Sequence, residues 1–75
     1  MTTDAEWQAR AKNLVKAELK RRGVSYKELA EKLTAMGLPD SERNISNKLS
    51  RGSFTAVFLL QVMEAIGCQV LRLDD

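Results

Sequence analysis

Four glycines, Gly23, Gly37, Gly52 and Gly67, and a single proline, Pro39, divide the chain into segments that each stop where a helix would stop. Glycine favours that place because it enters the left-handed region without the steric cost of a Cβ, and proline forbids continuation. The first segment opens on Thr3-Asp4-Ala5-Glu6, a capping box with Thr3 as N-cap and Glu6 reaching back. Apolar residues recur at helical spacing at Trp7, Ala11, Leu14, Val15 and Leu19, and Lys20, Arg21 and Arg22 suit the negative end of the dipole. A helix over about 4–22 follows. Ser25-Tyr26-Lys27-Glu28 is a second capping box, with Val24 and Leu29 placed as a staple. Leu29, Ala30, Leu33 and Met36 form the apolar stripe of a helix over about 26–36, and Leu38 can fold back on Leu33.

The next two segments are opposites. A helix over about 41–51, capped by Asp40 or Ser41, carries only Ile45 and Leu49 as large apolar anchors. Such a helix presents most of its surface outward. The helix over about 56–66, with Thr55 as N-cap and Phe54 and Leu59 as its staple, is apolar at nine of eleven positions, interrupted by Gln61 and Glu64. It must be buried nearly all round, and at about 16 Å it cannot span a bilayer. One short copy has little to bury both faces against, so a second subunit is expected to meet it, with Val57, Phe58, Val70 and Leu71 at the dimer interface. After Gly67, residues 68–73 read as a short strand that pairs with a symmetry mate, or as an extended tail lying on the helices.

Size and composition limit the chemistry. A single domain, 1–75, of this length buries only about 60–65% of the surface its unfolded form exposes. One cysteine permits no internal disulfide, and the absence of histidine excludes a Cys/His zinc site and the usual general base. No carboxylate pair sits beside a nucleophile or cofactor loop. The reading is a binding module, not an enzyme, with no metal or other cofactor. No apolar run approaches ~18 residues and no secretory segment is evident, so no membrane partner and a cytoplasmic setting are expected, with Cys68 reduced and buried. Trp7, Phe54 and Phe58 are expected in the core or a dimer interface, and Met36 and Met63 on apolar stripes.

The formal charge of +2 is unevenly spread. Residues 10–27 hold seven Lys/Arg against Glu18 alone, 7 − 1 = +6, whereas Asp4, Glu6, Asp74 and Asp75 lie at the ends. This pattern suits a polyanion, or a solvated helix face.

The run Gly23-Val24-Ser25-Tyr26-Lys27-Glu28-Leu29-Ala30-Glu31-Lys32-Leu33 resembles the "G-L-S-Q-E-E-L-A-E-K-L" opening of the Cro/phage-repressor-like (XRE-type) helix-turn-helix family. Asn44-Ile45-Ser46 followed by Arg51-Gly52 resembles the end of that family's recognition helix, and Phe54-Thr55 through Ile66-Gly67 its fourth helix. The resemblance covers about residues 15–67. The whole chain also resembles a group of short uncharacterised bacterial proteins that share its tryptophan, its Glu18-Leu19-Lys20-Arg21-Arg22-Gly23-Val24 run and its Arg51-Gly52 pair. Two departures stand out. Leu33 and Ile45 are twelve residues apart, where the family has roughly seven, so the turn 34–40 is longer; and Tyr26 replaces the family's usual glutamine.

The resemblance implies an all-α, lambda-repressor-like domain of four to five helices, here with a short C-terminal strand. It implies a transcription regulator that binds double-stranded DNA as a homodimer, with helix 41–51 in the major groove. On that basis Glu42, Arg43, Asn44 and Asn47 are the candidate base contacts: Arg43 for guanine, an asparagine for adenine, Glu42 for cytosine. Ser25, Tyr26, Lys27, Lys48 and Arg51 are the candidate phosphate contacts. The alternative is a protein-interaction module, a phage or toxin–antitoxin adaptor, that uses the same fold without reading DNA.

Overall fold

The computed structural model describes residues 3–73; Asp74 and Asp75 of the acidic C-terminus lie outside them. Four helices follow in order, α1 (Asp4–Arg21), α2 (Tyr26–Ala35), α3 (Glu42–Arg51) and α4 (Ala56–Ile66). Their starts follow the hydroxyl caps. Thr3, Ser25, Ser41 and Thr55 each accept a hydrogen bond from the backbone N–H three residues on. Only Ser25 completes a reciprocal box, its backbone N–H and hydroxyl both donating to Glu28 Oε1 at 3.4 and 3.1 Å. Of the two candidate caps for α3, Ser41 takes the role. The ends of α1 and α2 close alike: Val24 N–H donates to Leu19 O and Leu38 N–H to Leu33 O, both at 2.9 Å.

Each helix sends its apolar stripe to one core. Val15 and Leu19 of α1, Leu29 and Leu33 of α2, Ile45 and Leu49 of α3, and Phe58, Val62, Met63 and Ile66 of α4 are buried, joined by Cys68. α2 packs on both α3 and α4, and α1 packs on α3. The turn into α4 is held by a close approach. Gly52 has a φ of 70°, and a Cβ there would overlap the Gln8 carbonyl of α1, lying 2.7 Å from its carbon. No helix is long and apolar enough to cross a membrane, and no group of three or more Cys, Asp or Glu is placed to hold a metal ion, among the described residues.

Several expectations are corrected. Among the described residues there is no strand: 68–73 is an irregular tail whose first residue, Cys68, is buried in the core. A lone segment has no backbone to pair with in one chain, so side-chain burial holds it instead. Phe58 is 6% exposed and belongs to the core, not to an outer surface, because its ring turns inward against Phe54, centroids 5.8 Å apart. Leu71 is half-buried against the same core. Met36 is 41% exposed because α2 ends at Ala35, one residue before the helical spacing would bring its side chain onto the stripe. Trp7, expected in the core or a dimer interface, is exposed at the start of α1 and so is not a core residue.

Candidate nucleic-acid interface

α3 is anchored at two points. Ile45 and Leu49 are fully buried, so helical geometry turns Arg43, Asn47, Ser50 and Arg51 to the opposite face, and all four are exposed. Among the described residues, Arg43, Asn47 and Arg51 make no side-chain hydrogen bond or ion pair, which leaves their donors open to a ligand. The flank of α3 nearer the turn differs. Lys48 Nζ donates to Asp40 Oδ2 at 3.0 Å and sits 4.6 Å from the centre of the Phe58 ring. The Asn44 side chain also bonds the Asp40 carboxyl, and the Ser41 N–H donates to Asp40 Oδ1 at 2.9 Å. Burial pushes the Asp40 carboxyl up, but the Lys48 ammonium and these donors outweigh it and hold it below the ordinary carboxylate value. Two candidate contacts, Asn44 and Lys48, are thus gathered by one carboxylate.

Glu42 stands at the first position of α3. It lines a groove of about 440 Å³ with Lys27, Ala30, Glu31, Thr34 and Asp40, between α2 and the start of α3. Three carboxylates, Glu31, Asp40 and Glu42, and one ammonium, Lys27, therefore line this groove. The second candidate cluster lies at the start of α2. The Ser25 hydroxyl is engaged with Glu28, accepting from its N–H at 3.1 Å while donating to its carboxylate. Half-buried Tyr26 lines a shallow cleft of about 290 Å³ with Ser25, Val24, Leu19, Lys16 and Lys20.

The basic stretch of residues 10–27 divides by residue type. Its arginines are exposed but engaged within the chain: Arg10 Nη2 donates to the Leu73 carbonyl at 2.9 Å and its guanidinium lies over Trp7, 5.6 Å from the ring centre. Arg21 and Arg22 meet the buried Glu18 at 2.6 and 3.5 Å. Lys16, Lys20 and Lys27 remain exposed around the start of α2.

Sequence reasoning missed Lys16 and Lys20 as companions of Tyr26, although their four-residue spacing on α1 was a visible sign of a shared face. It also missed the organising role of Asp40. Asp40 and Lys48 are eight positions apart, across the N-cap and more than half of α3, and no local pattern marks such a pair.

The family model described as Domain of unknown function (DUF6471) matches residues 7–71, which is 65 of the 75 residues. No curated protein and no solved structure matches the chain.

Proposed function

We propose that the chain, which belongs to the DUF6471 family, is a sequence-specific DNA-binding transcription regulator that acts as a homodimer and lays α3 in the major groove. The observation that carries this reading is the outer face of α3, where Arg43, Asn47 and Arg51 stand exposed and unpaired on a helix buried only through Ile45 and Leu49. An open guanidinium suits the O6/N7 edge of guanine, and an asparagine the N6/N7 edge of adenine. Lys16, Lys20 and Lys27 around the start of α2, with Arg51, suit phosphates. Asn44 and Lys48 act from the Asp40 cluster. The exposed side chains Val57 and Leu60 of α4, and Val70 of the tail, supply apolar surface for the second subunit. The packing of α2 on α3, with apolar α4 behind, supports the helix-turn-helix resemblance.

The test is enrichment of random duplexes on the purified protein, followed by a salt titration of the selected site. A shared motif and a steep fall of log K with log salt are expected. No enrichment and a flat salt dependence would remove this reading.

One observation favours the protein-interaction module. Glu31 and Glu42 line the groove beside the start of α3, with Asp40 already paired to Lys48, and a phosphate backbone would meet repulsion from the two glutamates where a basic protein partner would not. Under that reading Glu42→Ala leaves DNA affinity and site preference unchanged. A change in either assigns Glu42 to the DNA face.

A further inference from the structure

The lysines of α1 differ from its arginines. Lys12, Lys16 and Lys20 follow one another at four-residue intervals, a spacing that sets them in one ridge along the helix. Lys16 and Lys20 are exposed and Lys12 is half-buried, and none of the three makes a side-chain hydrogen bond or ion pair among the described residues. Arg10, Arg21 and Arg22, by contrast, are all engaged within the chain. Contacts place both ends of the ridge. Lys16 and Lys20 line the cleft shared with Ser25 and Tyr26 at the start of α2. Lys12 stands one turn on from Gln8, whose carbonyl meets Gly52 at the end of α3. The ridge therefore runs from the joint after α3 to the start of α2. Nearby carboxylates are spent or placed elsewhere: Glu18 is buried against Arg21 and Arg22, and Glu28 is held by the Ser25 cap. Lys27 differs, since it shares its groove with Glu31, Asp40 and Glu42.

The spacing and the residue type select the ligand class. From Lys12 to Lys20 is about 12 Å along the helix, with an ammonium about every 6 Å. A small anion engages one lysine or two and leaves the rest unused. One strand of a duplex carries a charge about every 3.4 Å of axis, so phosphates are available to the whole ridge. Lysine is a flexible point charge, which suits a backbone contact better than the planar edge of a base. We infer that Lys12, Lys16 and Lys20 form a phosphate track that carries the DNA contact from the helix-turn-helix pair onto α1. The inference rests on the DNA reading above and adds to it Lys12 and a division of the contact. α3 meets base edges, and α1 follows the backbone beside them. Phosphate contacts carry no sequence information, so the track raises affinity for every duplex alike and steepens its dependence on salt.

The probe is the duplex enriched on the parent protein, its affinity measured between about 50 and 200 mM salt. One variant combines Lys12→Gln, Lys16→Gln and Lys20→Gln, and a second places arginine at the same three positions. Three lost contacts should flatten the slope of log K against log salt by about 2.7 for each bound subunit, which is about fortyfold in affinity over that range. The enriched motif should stay the same, and the arginine variant should keep the parent's slope. Lys32→Gln, an exposed lysine of α2 outside the ridge, should change neither. The single glutamine variants, each expected to flatten the slope by about 0.9, give the same reading should the triple variant not fold. Equal slopes for the glutamine variants and the parent overturn the track. A changed motif also overturns it, because the lysines would then touch base edges. A parent that enriches no duplex removes the DNA reading and the track with it, whereas a parent that binds with a slope the glutamine variants do not move removes the track alone.

Discussion

α3 and α4 are neighbours of ten and eleven residues with the same kind of boundary. Each starts at a hydroxyl cap, Ser41 or Thr55, and each stops at a left-handed glycine, Gly52 or Gly67. Their faces differ completely. α3 buries Ile45 and Leu49 and offers polar groups elsewhere; α4 buries Phe58, Val62, Met63 and Ile66 and still leaves Val57 and Leu60 63% and 68% exposed. The comparison separates two roles of sequence. Cap chemistry decides where a helix begins and ends, whereas the width of the apolar stripe decides what the helix has left to offer. α3 retains hydrogen-bonding surface and α4 retains apolar surface, each more than one folded chain uses.

The largest effect should come from the narrow anchorage of α3. Leu49→Ala is expected to cost about 2–5 kcal/mol, a large part of the total stability of a domain this small. Leu60→Ala on the outer face of α4 should stay within about 0.5 kcal/mol when the chain is dilute enough to be monomeric. Urea denaturation of both variants checks the pair, and equal costs would break the contrast. Next comes the joint between the two helices. Gly52→Ala forces a Cβ against the Gln8 carbonyl at a positive φ and should cost about 2–3 kcal/mol, shared by helical signal and tryptophan emission in one transition. A neutral Gly52→Ala would mean that α1 is free to move away from this joint.

The caps and glycines explain why the four helices were legible in the sequence to within a residue or so at each end. Stop signals act locally, and Ser25-Tyr26-Lys27-Glu28 behaves in the fold as it reads in the chain. The stripes were legible where the helix continues, as at Leu29 and Leu33, and misleading where it stops, as at Met36. The tail was harder. Residues 68–73 have strand-like composition, but their conformation follows from Cys68 entering the core and Arg10 holding the Leu73 carbonyl, contacts that span fifty or more residues. For the candidate site, exposure of Arg43 and Asn47 followed from the position of Ile45 and Leu49. The capture of Asn44 and Lys48 by Asp40 did not, because it depends on how the longer turn folds back on α3.

Surface variants sharpen the contrast further. Arg43→Ala should leave stability within about 0.5 kcal/mol and remove about 1–3 kcal/mol of discrimination at one base pair, measured by repeating the duplex selection. Leu60→Ser should instead lower affinity for a two-half-site duplex through weaker dimerisation, with the preferred sequence unchanged, as read by sedimentation equilibrium and the same selection. If Leu60→Ser alters the sequence preference, the division of labour between α3 and α4 fails.

The smallest effect is the pH dependence of the Asp40 cluster, and its sign is definite. The folded state holds this carboxyl below the ordinary value, so the unfolded state binds the proton more readily. The stability that Asp40 contributes is therefore fully present above about pH 3.9 and is lost as pH falls from there through the folded value. Other carboxylates titrate in the same range, but the gap between the parent and Asp40→Asn isolates this one. Thermal unfolding between about pH 6 and pH 2 should show the parent more stable at the upper end and the gap closing toward the lower end. A gap that stays constant with pH would mean that Asp40 organises the start of α3 by shape and neutral hydrogen bonds. Lys48 would then owe its position to the Phe58 ring, and α3 would depend on α4 for its polar flank as well as for its core.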